Sequence, residues 1–212
     1  MLEFVTYLAD FIPIVLVILI AYVLTKKPYD LYKKALIGYL ATGLCFYLLG
    51  EILGRIQGNN LVLIPIFGAI ELGWFSYIYF YYTRKTIFLY SNIPVLICLF
   101  YELNRIDFLT LNQLQSYTRS IAALTLCIFT LGYSYSLLKY KWKNYNANVF
   151  VFNASLLIYA SFTCIYYLPL QLLVSGNPTK ILVFWMVNSL ITFIFYILMT
   201  NALCHIPKKM SM

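Results

Sequence analysis

Eleven of the chain's fifteen Lys and Arg residues fall into four clusters: Lys26/Lys27/Lys33/Lys34, Arg84/Lys85, Lys139/Lys141/Lys143 and Lys208/Lys209. Long apolar stretches with almost no charge run between them. About 20 apolar residues in a helix match the roughly 30 Å hydrocarbon core of a bilayer. A backbone in hydrocarbon must satisfy its own hydrogen bonds, which a helix does. Basic residues near the ends of such segments stay on the cytoplasmic side, so four clusters separated by paired crossings imply an odd number of spans with the C-terminus inside. The expectation is an all-α, polytopic membrane protein: a seven-transmembrane-helix bundle with its N-terminus outside and its C-terminus cytoplasmic.

Composition removes the soluble alternatives. The chain is 63% hydrophobic and 10% charged, with a mean hydropathy of +0.82, far from the roughly 45–50% apolar and about 25% charged residues of globular domains. Seven helices with short connections use up the length, so residues 1–212 are expected to form a single membrane domain. The net charge of +8 sits where spans enter the cytoplasm and is therefore topological rather than a sign of nucleic-acid binding. Cys45, Cys98, Cys127, Cys164 and Cys204 lie within or beside apolar stretches with no metal-ligand spacing and read as small buried thiols.

The expected spans are 4–24, 34–53, 61–82, 86–101, 117–138, 148–174 and 181–204. No Lys or Arg precedes the first span and TKK follows it, the reverse of a cleaved signal peptide, so it is expected to be retained. ILGRIQGNN closes the second span with exterior turn residues. Pro94 removes a backbone donor from the fourth span and should kink it. The stretch from Glu102 to Ser116 mixes polar and apolar residues, as an interfacial segment would. Pro169 falls near the outer end of the sixth span, and Ser175-Gly176-Asn177-Pro178 is a strong turn signal.

An ionisable group at membrane depth is costly and points to function, which singles out Glu71 in GAIELGWFSY. It must face protein or water, pair with a donor, or take up a proton. It is either a ligand or proton site or a hydrogen-bonded packing residue. Asn188, Thr192, Tyr196 and Thr200 recur every four residues and share one face of the last span. Asn148, Ser155, Tyr159, Thr163 and Tyr166 form a comparable stripe on the sixth. The candidate ligand-binding residues are therefore Glu71, Trp74, Tyr159, Asn188, Thr192 and Tyr196, with Trp185 as a further aromatic wall. Glu51, four residues before Arg55, and Arg119 at the start of the fifth span are the candidate pocket rim. Alternatively, the polar faces are interhelical hydrogen-bonding surfaces with no ligand.

Catalytic parts are missing. His205 is the only histidine, with no partners at metal-ligand spacing, and the chain has no G-x-S-x-G, H-E-x-x-H or phosphate-cradling glycine loop. No metal and no cofactor are expected, and the missing parts weigh against an enzymatic activity. Covalent retinal is not expected, because the last span lacks a central lysine. The size and topology match small seven-helix sugar transporters, but no Pro-Gln pair occurs.

IPIFGAIELGWFSYIYFYYTRK in the third span and ILVFWMVNSLITFIFYILMTNALCH in the last resemble a group of small seven-helix membrane proteins from Bacteroidetes with no assigned activity. Members of that group look like the membrane part of sensor kinases without the kinase, and their genes often lie beside two-component signalling genes. The resemblance implies a signalling accessory in the bacterial cytoplasmic (inner) membrane, and it transfers no catalytic residue. The expected function is a receptor-like or sensory protein that binds a small or lipidic ligand in a polar intramembrane pocket. It would signal through a membrane partner such as a sensor kinase. A small-solute transporter with Glu71 as proton or substrate site, and an intramembrane lipid-modifying enzyme, are the alternatives.

Overall fold

The apolar stretches fold as helices. The computed structural model describes residues 2–26, 31–57, 60–105, 116–140, 147–167 and 178–206. They form α1 (Leu2–Thr25), α2 (Leu31–Gln57), α3 (Leu63–Thr83), α4 (Ile87–Tyr90), α5 (Asn92–Arg105), α6 (Tyr117–Tyr140), α7 (Ala147–Tyr167) and α8 (Pro178–Cys204), with no strand among the described residues. Among the described residues, five helical stretches are long and apolar enough to cross a membrane: Leu31–Ile56, Leu63–Thr83, Ile87–Asn104, Ala147–Tyr167 and Met186–Cys204. The apolar stretch Phe11–Thr25 of α1 is shorter. α6 is not among the five; it carries Thr118, Arg119, Ser120, Thr125, Thr130, Ser134 and Ser136. Pro169, Ser175 to Asn177 and the middle of the expected interfacial segment lie outside the described residues.

Proline positions explain the irregularities. Pro65 is the third residue of α3 and Pro178 the first of α8, where a missing N–H breaks no helical bond. Pro94 instead falls mid-stretch, where its ring clashes with the carbonyl four residues earlier and leaves it without a donor. That carbonyl belongs to Tyr90, the last residue of α4, and the helix is interrupted at Ser91. Beside the break the side chains of Ser91 and Asn92 bond to α4: Ser91 Oγ donates to Phe88 O at 2.7 Å and Asn92 Nδ2 to Leu89 O at 3.0 Å. The expected kink in the fourth apolar stretch is thus a break, flanked by polar side chains that bond back to α4.

α3 packs between α2 and α6, and α7 between α6 and α8. α8 also touches α1 and α2, and α5 lies outside α3 and α6. Helix direction alternates, so the described members of the four basic clusters meet at one end. There Lys33 Nζ donates to Lys26 O at 3.1 Å, the rings of Tyr32 and Tyr81 meet edge-on at 5.3 Å, and Asn148 Nδ2 donates to His205 O at 2.8 Å. Lys26, Lys33, Lys34, Arg84, Lys85 and Lys139 belong to this basic end; Lys27, Lys141, Lys143, Lys208 and Lys209 lie outside the described residues.

A large aromatic and aliphatic core joins the helices, including Leu16, Tyr39, Leu72, Phe75, Leu126, Leu156, Phe195 and Met199. The outward faces carry exposed Ile18, Ile56, Ile97, Phe100, Ile128, Ile158 and Ile165. Small residues admit close approach where packing rather than water drives helix association. Gly68 of α3 is one such point: a Cβ there would lie 2.9 Å from Arg119 Cδ and 3.0 Å from Arg119 Cα on α6. Large side chains beyond Gly68 are thereby brought within reach of α6.

Candidate functional site

Glu71 sits one turn beyond Gly68 on α3 and faces the core, 3% exposed. A carboxylate so placed needs a counter-charge and donors for its remaining lone pairs. Three other helices supply them. Arg119 of α6 places Nη1 2.7 Å from Glu71 Oε2. Tyr39 of α2 and Tyr159 of α7 each donate a hydroxyl hydrogen to Oε1, at 2.7 and 2.9 Å. Arg119 Nη2 donates to the Tyr159 hydroxyl at 2.7 Å, so Tyr159 bridges the two charges. Glu71 therefore binds α2, α3, α6 and α7 into one polar node.

Aromatic rings enclose the node. Phe67 lies under the guanidinium at 4.9 Å and Tyr167 at 5.8 Å, distances at which a ring face attracts a cation. Tyr166 and Tyr167 pack with Ile64 and Phe162 near the non-basic end of the bundle. From the other side Phe195 of α8 stacks on Tyr159, with centroids 4.2 Å apart and planes 8° from parallel. Phe75 stands 4.9 Å from Tyr39. The charges are held in a low-dielectric shell, where their attraction is far stronger than in water.

The candidate residues separate into groups. Glu71, Tyr159 and Arg119 converge, and Arg119 is a central member rather than a rim residue; its side chain is 6% exposed. Tyr196 flanks the node, buried, with its ring 6.0 Å from that of Tyr39. Trp74 lies one turn toward the basic end and turns to α2, where Nε1 donates to Thr42 Oγ1 at 3.2 Å. Asn188 and Thr192 lie on α8 farther from the basic end, partly exposed, and Thr192 Oγ1 donates to Asn188 O at 2.8 Å within its own helix. Glu51 and Arg55 form an exposed pair at 3.6 Å. The side chain of Trp185 lies outside the described residues.

Three contributors were not singled out by sequence. Tyr39 is one of 21 tyrosines, and no polar ladder on its helix marks it. Glu102, assigned to the exterior segment, lies in the last turn of α5 against the first turn of α6. Its Oε2 accepts hydrogen bonds from the Thr118 N–H at 2.9 Å and from the Thr118 hydroxyl. Asn153 of α7 centres a second node nearer the basic end. Its Oδ1 accepts from the Tyr79 hydroxyl, and its Nδ2 donates to Thr130 O at 2.9 Å and to Ser134 Oγ at 2.6 Å. Beside Asn153 lies a crevice of about 20 Å³ bordered by Tyr32, Tyr79, Tyr82, Tyr133 and Phe152. It has room for about one water molecule, well below the roughly 300 Å³ of the smallest drug-sized pockets.

Many polar-ladder hydroxyls close on their own helix. Thr163 Oγ1 donates to Tyr159 O and Ser155 Oγ to Phe152 O, both at 2.8 Å. No three His, Cys, Asp or Glu side chains converge as a metal site among the described residues. Comparison with protein-family models, with curated proteins and with solved structures finds no match.

Proposed function

We propose that the chain is a receptor-like, seven-helix integral membrane protein whose Glu71–Arg119 node is the lock of a helix-shift signal. α4 and α5 together count as one crossing, the N-terminus is outside, and the bacterial inner membrane is the setting. The observation that carries this reading is the four-helix bonding of Glu71. A small or lipidic ligand with a carboxylate or cationic group can take the place of one member of the ion pair. Doing so separates α3 from α6 and frees Tyr159 at the same moment, so a local exchange of partners becomes a movement of whole helices. An ionisable pair at membrane depth is the kind of feature that function retains. The likeness to sensor-kinase membrane parts supports a membrane signalling partner as the receiver.

The test uses the native host. Glu71→Gln and Arg119→Met, expressed at wild-type level, are expected to give a transcript profile different from both wild type and the deletion strain, as an unlocked sensor would. Wild-type profiles from both variants would overturn the sensory reading.

The broken helix α4–α5 favours a second reading, solute transport with Glu71 as proton or substrate site, because discontinuous helices are common at transport sites. Uptake into proteoliposomes that is abolished by Glu71→Gln would favour this reading over the first.

A further inference from the structure

Arg119 is the third residue of α6, in a first turn where backbone N–H groups have no helical partner. Such a turn frays unless side chains hold it, and here two residues do. Ser116 Oγ accepts the N–H of Arg119 itself at 3.2 Å, and Ser116 Oγ also stands 3.5 Å from Glu102 Oε2. The same Glu102 oxygen accepts from the Thr118 N–H at 2.9 Å and from the Thr118 hydroxyl. A carboxylate at this position also complements the positive end of the helix dipole. Glu102 belongs to α5, which Val95 alone anchors by a fully buried side chain among its described residues; Ile93, Leu96, Ile97, Phe100 and Tyr101 are exposed. Of the long helices packed around the node, α5 therefore has the least buried side-chain surface resisting its displacement.

We infer that Glu102 is a positioning residue that holds Arg119 on Glu71 from α5, so that outward displacement of α5 releases the ion pair. This rests on the sensory reading only for its purpose; the coupling itself is a property of the fold. Withdrawal of Glu102 removes the acceptor of Thr118 and a neighbour of Ser116. The first turn of α6 then loosens, and the Arg119 backbone leaves the close seat beside Gly68 that lets its guanidinium reach Glu71.

The chain has four arginines, Arg55, Arg84, Arg105 and Arg119, which makes arginine side-chain nitrogen NMR in nanodiscs a direct readout. A guanidinium held by both Glu71 and Tyr159 rotates slowly about Cζ–Nη and gives separate Nη signals, assigned to Arg119 by their absence in Arg119→Lys. Glu71→Gln should collapse them. Glu102→Ala should also collapse them, whereas Glu102→Gln, which keeps an acceptor oxygen, should largely retain them. Val95→Trp, which wedges α5 outward about two turns from Glu102, should collapse them as well. Ser116→Ala, checked for helicity and monodispersity, serves in place of Glu102→Ala should the latter not fold. Wild-type Arg119 signals in folded Glu102→Ala or Ser116→Ala would overturn the positioning role, and wild-type signals in Val95→Trp would overturn transmission from α5. Neither outcome bears on the transcript profile of Glu71→Gln, so the sensory reading stands or falls separately.

Discussion

Arg119 Nη1 lies 2.7 Å from Glu71 Oε2, and both side chains are more than nine-tenths buried. Removing one partner strands the other charge, which typically costs about 3–5 kcal/mol, whereas removing both can be nearly neutral. Glu71→Gln and Arg119→Met should each lower thermal stability in detergent by this order. The double variant should lose clearly less than the sum. Additive losses would mean that the pair does not act as a unit.

Tyr159 and Tyr39 both donate to Glu71, but only Tyr159 also accepts from Arg119. Tyr159→Phe should therefore cost more than Tyr39→Phe, on the order of 2–3 against about 1 kcal/mol, because it leaves two buried charged groups short of a partner rather than one. Thermal unfolding of the two variants under one condition compares them directly. Equal losses would contradict the bridging role of Tyr159.

Two glycines should respond to alanine with opposite sign. A Cβ at Gly68 meets Arg119 at 2.9 and 3.0 Å, while one at Gly132 meets nothing within 4 Å. Gly68→Ala should destabilise by about 1–3 kcal/mol through forced separation of α3 and α6. Gly132→Ala should stabilise by up to about 1 kcal/mol through helix propensity. Melting temperatures of the two purified variants decide it, and a Gly68→Ala protein as stable as wild type would show that α6 has slack there.

The proposed orientation is open to labelling. In a background without native cysteines, Asn60→Cys lies at the non-basic end and Lys85→Cys at the basic end. A membrane-impermeant maleimide applied to intact spheroplasts should label the first and reach the second only after lysis. The reverse pattern would invert the topology.

The helices were largely legible in the sequence because they are encoded locally. A run of apolar residues between basic or turn-forming ones specifies a helix whatever its neighbours are, and Pro94 acts on the carbonyl only four residues away. Glu71 was legible for a similar reason: a lone carboxylate in an apolar run is conspicuous. Its partners were legible only in part. Tyr159 stood out on a polar stripe and Arg119 as a charge at a span end, but nothing in the sequence joined either to Glu71; Tyr39, 32 residues away, is one of 21 tyrosines and carries no mark. Asn188 and Thr192 share the periodicity of Tyr196, yet they stand apart from the node. Periodicity assigns a residue to a helix face but says nothing of its height against the next helix.

Arg119 shows the division most plainly. By itself the sequence determined an all-α chain of apolar helices with basic ends and a buried acid on the third, since each of these follows from neighbours along the chain. Only the tertiary structure decided that Arg119, near the end of α6, reaches inward to that acid rather than outward to solvent. Gly68 opens the approach between α3 and α6, Ser116 and Glu102 hold the first turn of α6, and Phe67 and Tyr167 cover the guanidinium. Apart from the local Ser116 bond to the Arg119 N–H, these contacts join residues distant in sequence, and their energies act only once the helices are packed.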